Sequence, residues 1–403
     1  MTQPAHRHHL PEIALPPMWV MAAALLAVAA NLRSVMAGVP PLVEAITRDL
    51  HLSNAAAGAL TTLPVLCMGL FAPVAQWLGA RIGPVQSVLV ATVCVCVGTF
   101  GRLWGSQVAV LYAATFVAGV GIAVAGALLP RLVKALFPPE RSGTITGLYM
   151  FAMMGGATAS AALAVPLADR LGSWQASLAS WSVLGVVGAA AWAPFTLTAR
   201  RRLPAPPRAE RVALPWRHPT AVLLAAYLTV QSWEFYSSLA WVSPTYVAQG
   251  WARAQAGYLL SAFSLAQLVS GLLGPLLADR VRDRRVLLAP LAGLATAGML
   301  GLLLAPTAAP WLWVVILGLG QGGAFSVGLV LLVDYAASPA ASGRLTAMSF
   351  LVSYSLASVG PFAMGAVRDV SGGFAAVWAV LCAIMAVQVT LAMFLRPGLA
   401  RTP

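Results

Sequence analysis

The chain has 403 residues, of which 60% are hydrophobic and only 9% are charged, and its mean hydropathy is +0.84. Soluble domains carry about 25% charged residues, so this composition excludes a soluble protein and predicts one that crosses a membrane many times. The net charge of +13 does not indicate nucleic-acid binding, because the basic residues fall in loops between apolar segments rather than on one face of a soluble domain.

Apolar segments long enough to cross a bilayer recur along the whole chain. Turn sequences such as Ile-Gly-Pro at 82–84 and Ser-Gly-Gly at 371–373 separate them. We predict twelve membrane-spanning helices, at roughly 18–46, 54–78, 84–103, 107–134, 143–167, 174–197, 219–247, 255–278, 286–306, 310–335, 343–367 and 372–395.

The longest polar break between these spans contains six Arg residues and is predicted to be a basic linker. With the N-terminus placed inside, 18 of the 24 basic residues lie in cytoplasmic segments and 5 in external ones. Cytoplasmic loops carry an excess of Lys and Arg, so both termini and the linker are predicted to be cytoplasmic. The predicted divisions are a tail (1–17), a six-helix bundle (18–197), the linker (198–218), a second six-helix bundle (219–395) and a second tail (396–403).

Three short patterns repeat at nearly the same distance along the chain. Pro-x-x-Ser-Gly-x-x-Thr at 139–146 recurs 200 residues later, and Gly-x-Gly at 119–121 and Ala-Gly at 57–58 recur 199 residues later. The repeats predict an all-α membrane protein of two pseudo-symmetric six-helix bundles. Such repeats surround a cavity near the bilayer midplane, which opens to the two sides alternately.

Arg33 lies near the middle of the first predicted span. A guanidinium there costs at least ~2.5 kcal/mol unless water or a partner receives it, and Arg does not lose its proton at ordinary pH. Arg33 is therefore expected to face a wet cavity, an anion or a carboxylate. The other interpretation is a structural Arg that binds backbone carbonyls. The residue 200 positions later is Trp233, beside Glu234, so spans 1 and 7 are both expected to line the cavity.

Span 7 carries polar and aromatic residues at helical spacing: Gln231, Glu234, Ser238 and Trp241. Such a stripe lines a cavity or joins helices. A buried carboxylate without a charged partner takes up a proton, so Glu234 is a candidate for proton coupling. The other interpretation pairs Glu234 permanently with a backbone donor or with Arg33.

Further candidates for contact with a solute are Gln321 in span 10, Tyr149 in span 5 and Tyr354 in span 11. Arg131 and Asp334 end spans 4 and 10 and are expected to anchor a gate or a loop. We expect no enzyme activity, no metal and no cofactor, because the chain has no Gly-Lys-Ser/Thr loop for ATP and no catalytic cluster. The four cysteines fall inside apolar segments and are interpreted as packing residues.

The loops after spans 2 and 8 carry the resemblance to a known family. Residues 278–285 read Ala-Asp-Arg-Val-Arg-Asp-Arg-Arg, and residues 76–83 keep Arg81 and Gly83 but have no Asp. With the span count and the repeats, the chain resembles the major facilitator superfamily over its full length. The resemblance implies that Arg81, Asp279 and Arg280 belong to a cytoplasmic gate.

Within that superfamily the chain is similar to the branch of cyanate porters and nitroimidazole transporters. The similarity rests on Asn-Leu-Arg at 31–33, on 57–73, and on Gln231-Ser232 with Tyr236 and Trp241. It adds Asn31 and Tyr236 to the expected substrate-binding residues. We expect a multi-pass protein of a bacterial inner membrane, with both termini cytoplasmic and a monomer as the default.

The sequence thus predicts a secondary active transporter, coupled to protons, for a small anion or a weakly acidic planar compound, cyanate-like or nitro-heterocycle-like. A second hypothesis is proton-coupled efflux of an uncharged or cationic compound, with Glu234 as its counter-ion. A third is a membrane sensor without flux. The expected partners are a small-molecule substrate, protons and the lipid bilayer, and no nucleic acid.

Overall fold

The computed structural model describes residues 17–202 and 213–402, here called the first and second halves. Nearly all of the predicted N-terminal tail (1–17), and residues 203–212 of the predicted linker, lie outside them. The sixteen α-helices of the described residues are α1 (Met18–Ala37), α2 (Val43–Leu50), α3 (Asn54–Leu70), α4 (Ala72–Ile82), α5 (Pro84–Gly101), α6 (Val108–Leu136), α7 (Pro139–Leu171), α8 (Trp174–Ser180), α9 (Ser182–Arg202), α10 (Pro219–Ala248), α11 (Arg253–Ala278), α12 (Arg285–Leu304), α13 (Pro310–Asp334), α14 (Pro339–Ala357), α15 (Val359–Ser371) and α16 (Phe374–Phe394).

Ten helical segments of the described chain are long and apolar enough to cross a membrane, and the bent pair α3 and α4 makes an eleventh. The remaining long helix is α10, with 30 residues. Its buried side chains include Gln231, Ser232 and Glu234. The helix count is consistent with the twelve predicted spans, and the all-helical membrane fold is the predicted one. The division into two bundles at the linker stays a prediction, and α9 runs past its predicted end at 197.

Proline residues break two of the predicted spans. A 3₁₀ helix at Pro40–Leu42 separates α1 from α2, because neither Pro40 nor Pro41 has an N–H for the helix. Pro64 does not break α3, which continues through that residue to Leu70. The break lies at Phe71, just before Pro73, where α4 starts at an angle of 55° to α3.

The two halves pack tightly at the end of the molecule opposite the linker, here called the closed end. A methyl group on Gly58 of α3 would overlap the carbonyl of Pro361 in α15. Ser261 Oγ of α11 donates to the carbonyl of Thr158 in α7 at 2.9 Å. The carboxylate of Asp369 in α15 accepts the backbone N–H of Asn54 at 2.9 Å, at the N-terminus of α3. Helix pairs from different halves therefore close this end.

The linker end is open by comparison. There, a methyl group added to Gly143 or Gly147 of α7, or to Gly343 of α14, would meet nothing within 4 Å. Residues after α16 fold back onto this end of the second half. Thr402 N donates to Tyr335 O at 2.8 Å, which fixes the chain's last described residues beside α13. The cavity between the halves reaches this end, since Gly147 of α7 and Val333 of α13 line it.

Candidate functional site

A cavity of about 420 Å³ lies between the halves, with walls from α1, α7, α10, α11, α13 and α14. Among the described residues, Arg33 is the only charged one in its lining. Most of the remaining wall is apolar, with methionines on α7 and aliphatic residues on α11 and α13. The other polar or hydroxyl side chains of the lining are Thr146, Gln231, Ser232, Tyr236, Gln267, Gln321, Ser326 and Tyr354.

The guanidinium of Arg33 is held by aromatic residues of α10. Its Nη1 donates to the Tyr236 hydroxyl at 3.3 Å. Its central carbon lies 5.6 Å from the ring centroid of Phe235 and 5.7 Å from that of Tyr236, within the range of a cation–π interaction. None of the ion pairs among the described residues involves Arg33. Since a guanidinium has five N–H donors, most of them are available to a bound solute.

The end of α1 is fixed by side chains from other helices. Ser160 Oγ of α7 donates to the carbonyl of Ser34 at 2.6 Å. Arg102 Nη1 donates to the carbonyl of Val35 at 2.8 Å. This carbonyl lacks its regular helical donor, because the N–H of Val39 donates to Met36 O instead. Arg102 is only 1% exposed, although it lies between α5 and α6, in one of the segments predicted to be external loops. The two donors hold the turn of α1 that presents Arg33.

Two further tyrosines lie near Arg33. The ring centroids of Tyr354 and Tyr236 are 6.3 Å apart in an edge-to-face arrangement, and Tyr354 belongs to the cavity lining. Tyr149 is 4% exposed and close enough to Arg33 for an electrostatic interaction, although it does not line the cavity. Hydroxyl groups from three helices therefore surround the single positive charge.

Five of the nine predicted substrate-binding residues lie in the cavity wall: Arg33, Gln231, Tyr236, Gln321 and Tyr354. Asn31 does not; it is fully buried and lies against Gly185 of α9. Trp241 does not either, since its Nε1 donates to the carbonyl of Pro361 at 3.0 Å. The cavity faces the side of α10 that carries residues 231, 232, 235 and 236, so the predicted stripe is turned partly away from it.

Glu234, a member of the stripe expected to line the cavity, is also absent from the cavity wall. No ion pair among the described residues joins it to Arg33. Its side chain is 0% exposed, and neither carboxylate oxygen has a hydrogen-bond partner among the described residues. It lies near Cys382 of α16, inside the second half. Gln231 and Gln321 line the cavity and connect α10 to α13. Gln231 Nε2 donates to Gln321 O, and Gln321 Nε2 donates to Ser238 Oγ, each at 3.1 Å.

The predicted gate residues lie at the linker end. Asp334 accepts the Nε of Arg284 at 2.8 Å, and this hydrogen bond raises the pKa of Arg284. Asp279 and Arg280 line a second cavity, of about 770 Å³, beside that pair. The guanidinium carbon of Arg81 lies 4.9 Å from the Trp77 ring centroid, and Arg131 is exposed. The pairing of Arg284 with Asp334 was not predicted from the sequence.

Sequence reasoning also missed Phe235 and three methionines of the wall, Met150, Met153 and Met154. The methionines are spaced three and four residues apart, which puts them on one helical face. This spacing was a usable signal. Phe235 gave none of its own, since an aromatic residue in an apolar helix is ordinary.

The fold and the sequence both match known membrane transporters. The family model described as Major Facilitator Superfamily matches residues 21–246. The chain belongs to the major facilitator superfamily. It is 30% identical to the "Cyanate transport protein CynX" of Escherichia coli (strain K12), over 91% of this chain and 95% of that protein. It is 32% identical to the "2-nitroimidazole transporter" of the same organism, over 88% of this chain and 90% of that protein.

A solved structure, the "Crystal structure of D-xylose-proton symporter", is similar in fold. The TM-score is 0.73 at 15% sequence identity, covering 96% of this chain and 98% of the symporter. The predicted fold class and the predicted branch are thus confirmed. The chain is a multi-pass membrane protein whose relatives are transporters rather than enzymes.

Proposed function

We propose that the protein is a secondary active transporter that moves a small monoanion, or a weakly acidic planar compound, across the inner membrane. One observation carries this proposal: Arg33 is the only charged residue of the cavity wall and has no ion-pair partner among residues 17–202 and 213–402. A permanent positive charge near the middle of a membrane span needs a negative or strongly polar partner. A solute is the partner that leaves after transport.

The groups around Arg33 suit a planar anion. A guanidinium offers parallel N–H donors that match carboxylate-like geometry. The hydroxyl groups of Tyr236 and Tyr354 can add donors at the side. We therefore assign substrate binding to Arg33, Tyr236, Tyr354, Gln231 and Gln321, with Tyr149 supporting Arg33 from behind the wall.

Transport by alternating access is supported by the asymmetry between the two ends. The closed end is sealed by contacts such as that between Gly58 and Pro361, whereas the linker end is open. The excess of basic residues at the linker end assigns it to the cytoplasm, so this conformation is open inward. In the outward-open state the contacts at the closed end separate, and the gate residues at the linker end come together. We expect a monomer, because one chain contains the whole cavity.

Proton coupling is assigned to Glu234. An ionised carboxylate without a partner costs several kcal/mol in such a place, so the buried site favours the protonated group. An anion that enters against a negative-inside potential needs a compensating cation, at ~2.3 kcal/mol per charge and 100 mV. An anion bound at Arg33 repels a negative charge on Glu234 of α10, so it makes the ionised form of Glu234 less favourable. Linkage then requires that proton and anion raise each other's affinity equally.

Efflux of a cationic compound has less support. That hypothesis needs Glu234 as a counter-ion, yet the cavity wall contains no carboxylate. A sensor without flux is disfavoured because the relatives are transporters.

Binding of cyanate and nitrate to the purified protein, measured by isothermal titration calorimetry, tests the proposal. Removing one partner of a buried charge pair costs about 2–5 kcal/mol, so Arg33→Ala is expected to weaken binding about 30-fold or more. Arg33→Lys should restore little, because the fork geometry is lost. Arg48→Ala is the matched control, since its side chain is 71% exposed and lies outside the cavity. Wild-type affinity in Arg33→Ala would contradict the proposal.

A further inference from the structure

The cavity is large for an inorganic anion. A water molecule's share of the liquid is about 30 Å³, and a three-atom anion is not much larger. Such an ion fills a small fraction of a cavity of about 420 Å³. Pockets for organic ligands of drug size begin at roughly 300 Å³. Part of the volume belongs to the opening at the linker end, so the composition of the wall must decide between an inorganic and an organic solute.

The wall compensates a single negative charge. Arg33 is its one charged residue, and the remaining polar groups are neutral amides and hydroxyls. A second negative charge on the solute would be desolvated without a partner, which is unfavourable in an apolar site. The charge pattern therefore selects monoanions over dianions.

The rest of the wall suits a flat apolar body. Phe235 packs edge-to-face on Tyr236 at a centroid distance of 4.7 Å, and Phe325 of α13 faces the same cavity. Met150, Met153 and Met154 add three thioethers from α7. Thioether sulfurs make favourable contacts with aromatic rings, and methionine adapts to irregular shapes. Aromatic rings also prefer edge-to-face contact with other rings.

We propose that the preferred solute is an aromatic monoanion, with its charged group on Arg33 and its ring against the methionines of α7, rather than an inorganic ion of cyanate's size. This inference rests on the proposed function, because it uses Arg33 as the anion ligand. The proposed function specifies the charge of the solute, and this inference also specifies its apolar part. The methionine wall would be the part of the site that determines specificity.

Four probes with different charge and shape test the inference on the purified full-length protein: nitrate, benzoate, cyclohexanecarboxylate and phthalate. The readout is the dissociation constant from calorimetry at pH 7. Benzoate is expected to bind at least tenfold tighter than nitrate, at least tenfold tighter than the dianion phthalate, and severalfold tighter than cyclohexanecarboxylate. Arg33→Ala should abolish the benzoate signal.

The outcomes separate the two proposals. If nitrate and benzoate bind equally well and both depend on Arg33, the inference is overturned and the proposed function stands. If none of the four anions binds, both are overturned. If benzoate binds to Arg33→Ala with wild-type affinity, its carboxylate does not depend on Arg33. That result contradicts both the inference and the proposed function.

Methionine variants test the ring's location. Met153→Ala, alone and combined with Met150→Ala, is expected to lower the ratio of benzoate to nitrate affinity at least threefold. Met393→Ala is the control, because Met393 is 41% exposed on α16 and lies outside the cavity. An unchanged ratio in the double variant would overturn the assignment of the ring to the methionine wall, and residual nitrate binding reports that the variant is folded.

Discussion

Neighbouring positions of α10 lie in two different environments. Phe235 and Tyr236 contact Arg33 at a cavity that opens to the linker end, whereas Glu234 is 0% exposed and its carboxylate has no partner among the described residues. Arg33 cannot discard its charge, so it requires a wet or anionic environment. Glu234 can become neutral by taking a proton, so it tolerates a sealed one. The difference suggests separate tasks: the open site binds a solute and the sealed site binds a proton.

The Glu234→Gln variant has the largest expected effect on this division between solute binding and proton binding. A glutamine resembles the protonated carboxyl in size, so the variant is expected to fold and to exchange solute. It should lose accumulation driven by a pH gradient entirely, because it cannot carry a proton. Wild-type anion affinity should rise as pH falls, since proton and anion binding are linked, and Glu234→Gln should show little pH dependence.

Flux assays in proteoliposomes, with counterflow exchange as the control, measure both activities of this variant. Loss of exchange together with accumulation would mean that Glu234 is a structural partner. Full pH-driven accumulation by the variant would mean that another group carries the proton.

Sequence reasoning reached the fold through features that depend on segment length and composition: the apolar spans, the basic linker and the repeats. It identified Arg33 because an intramembrane Arg is rare. It misjudged Glu234 and Trp241 because helical periodicity gives the relative angle between residues but not which side of α10 meets the cavity. It did not predict that the Arg102 side chain is buried, because a charged residue between two glycines at the end of a span is typical of an exposed loop.

The second prediction concerns the closed end. The cavity that contains Arg33 is assigned as inward-open because this end is sealed. Gly58→Leu would insert a side chain where Pro361 already lies, so this end should open more often. A maleimide that does not cross membranes is expected to label Thr62→Cys, in a background without other cysteines, severalfold faster when Gly58→Leu is present. Thr62 Oγ1 donates to Ser358 O at 2.6 Å in the closed contact.

Gly343→Leu is the matched control for that experiment, because an added Cβ there meets nothing within 4 Å. Equal labelling rates in the Gly58 variant and its control would contradict the assignment of this contact to the gate.

The third prediction concerns Arg102, whose side chain holds the end of α1 near Arg33. Arg102→Met removes the donor to the Val35 carbonyl, and leaving a buried acceptor unpaired costs about 1–3 kcal/mol. The variant should unfold at a lower temperature and bind anions severalfold more weakly, because the end of α1 loses a contact. Arg48→Met, at an exposed position, should do neither. Unchanged thermal unfolding and affinity in Arg102→Met would show that Ser160 and the packing suffice to hold α1.

The most direct test of the central claim is uptake of labelled cyanate into proteoliposomes under an imposed pH gradient. Wild-type protein and the Arg48→Ala control are expected to accumulate cyanate, whereas Arg33→Ala should remain at the level of liposomes without protein. Accumulation by Arg33→Ala at the wild-type rate would contradict the claim that the positive charge of the cavity is the anion ligand.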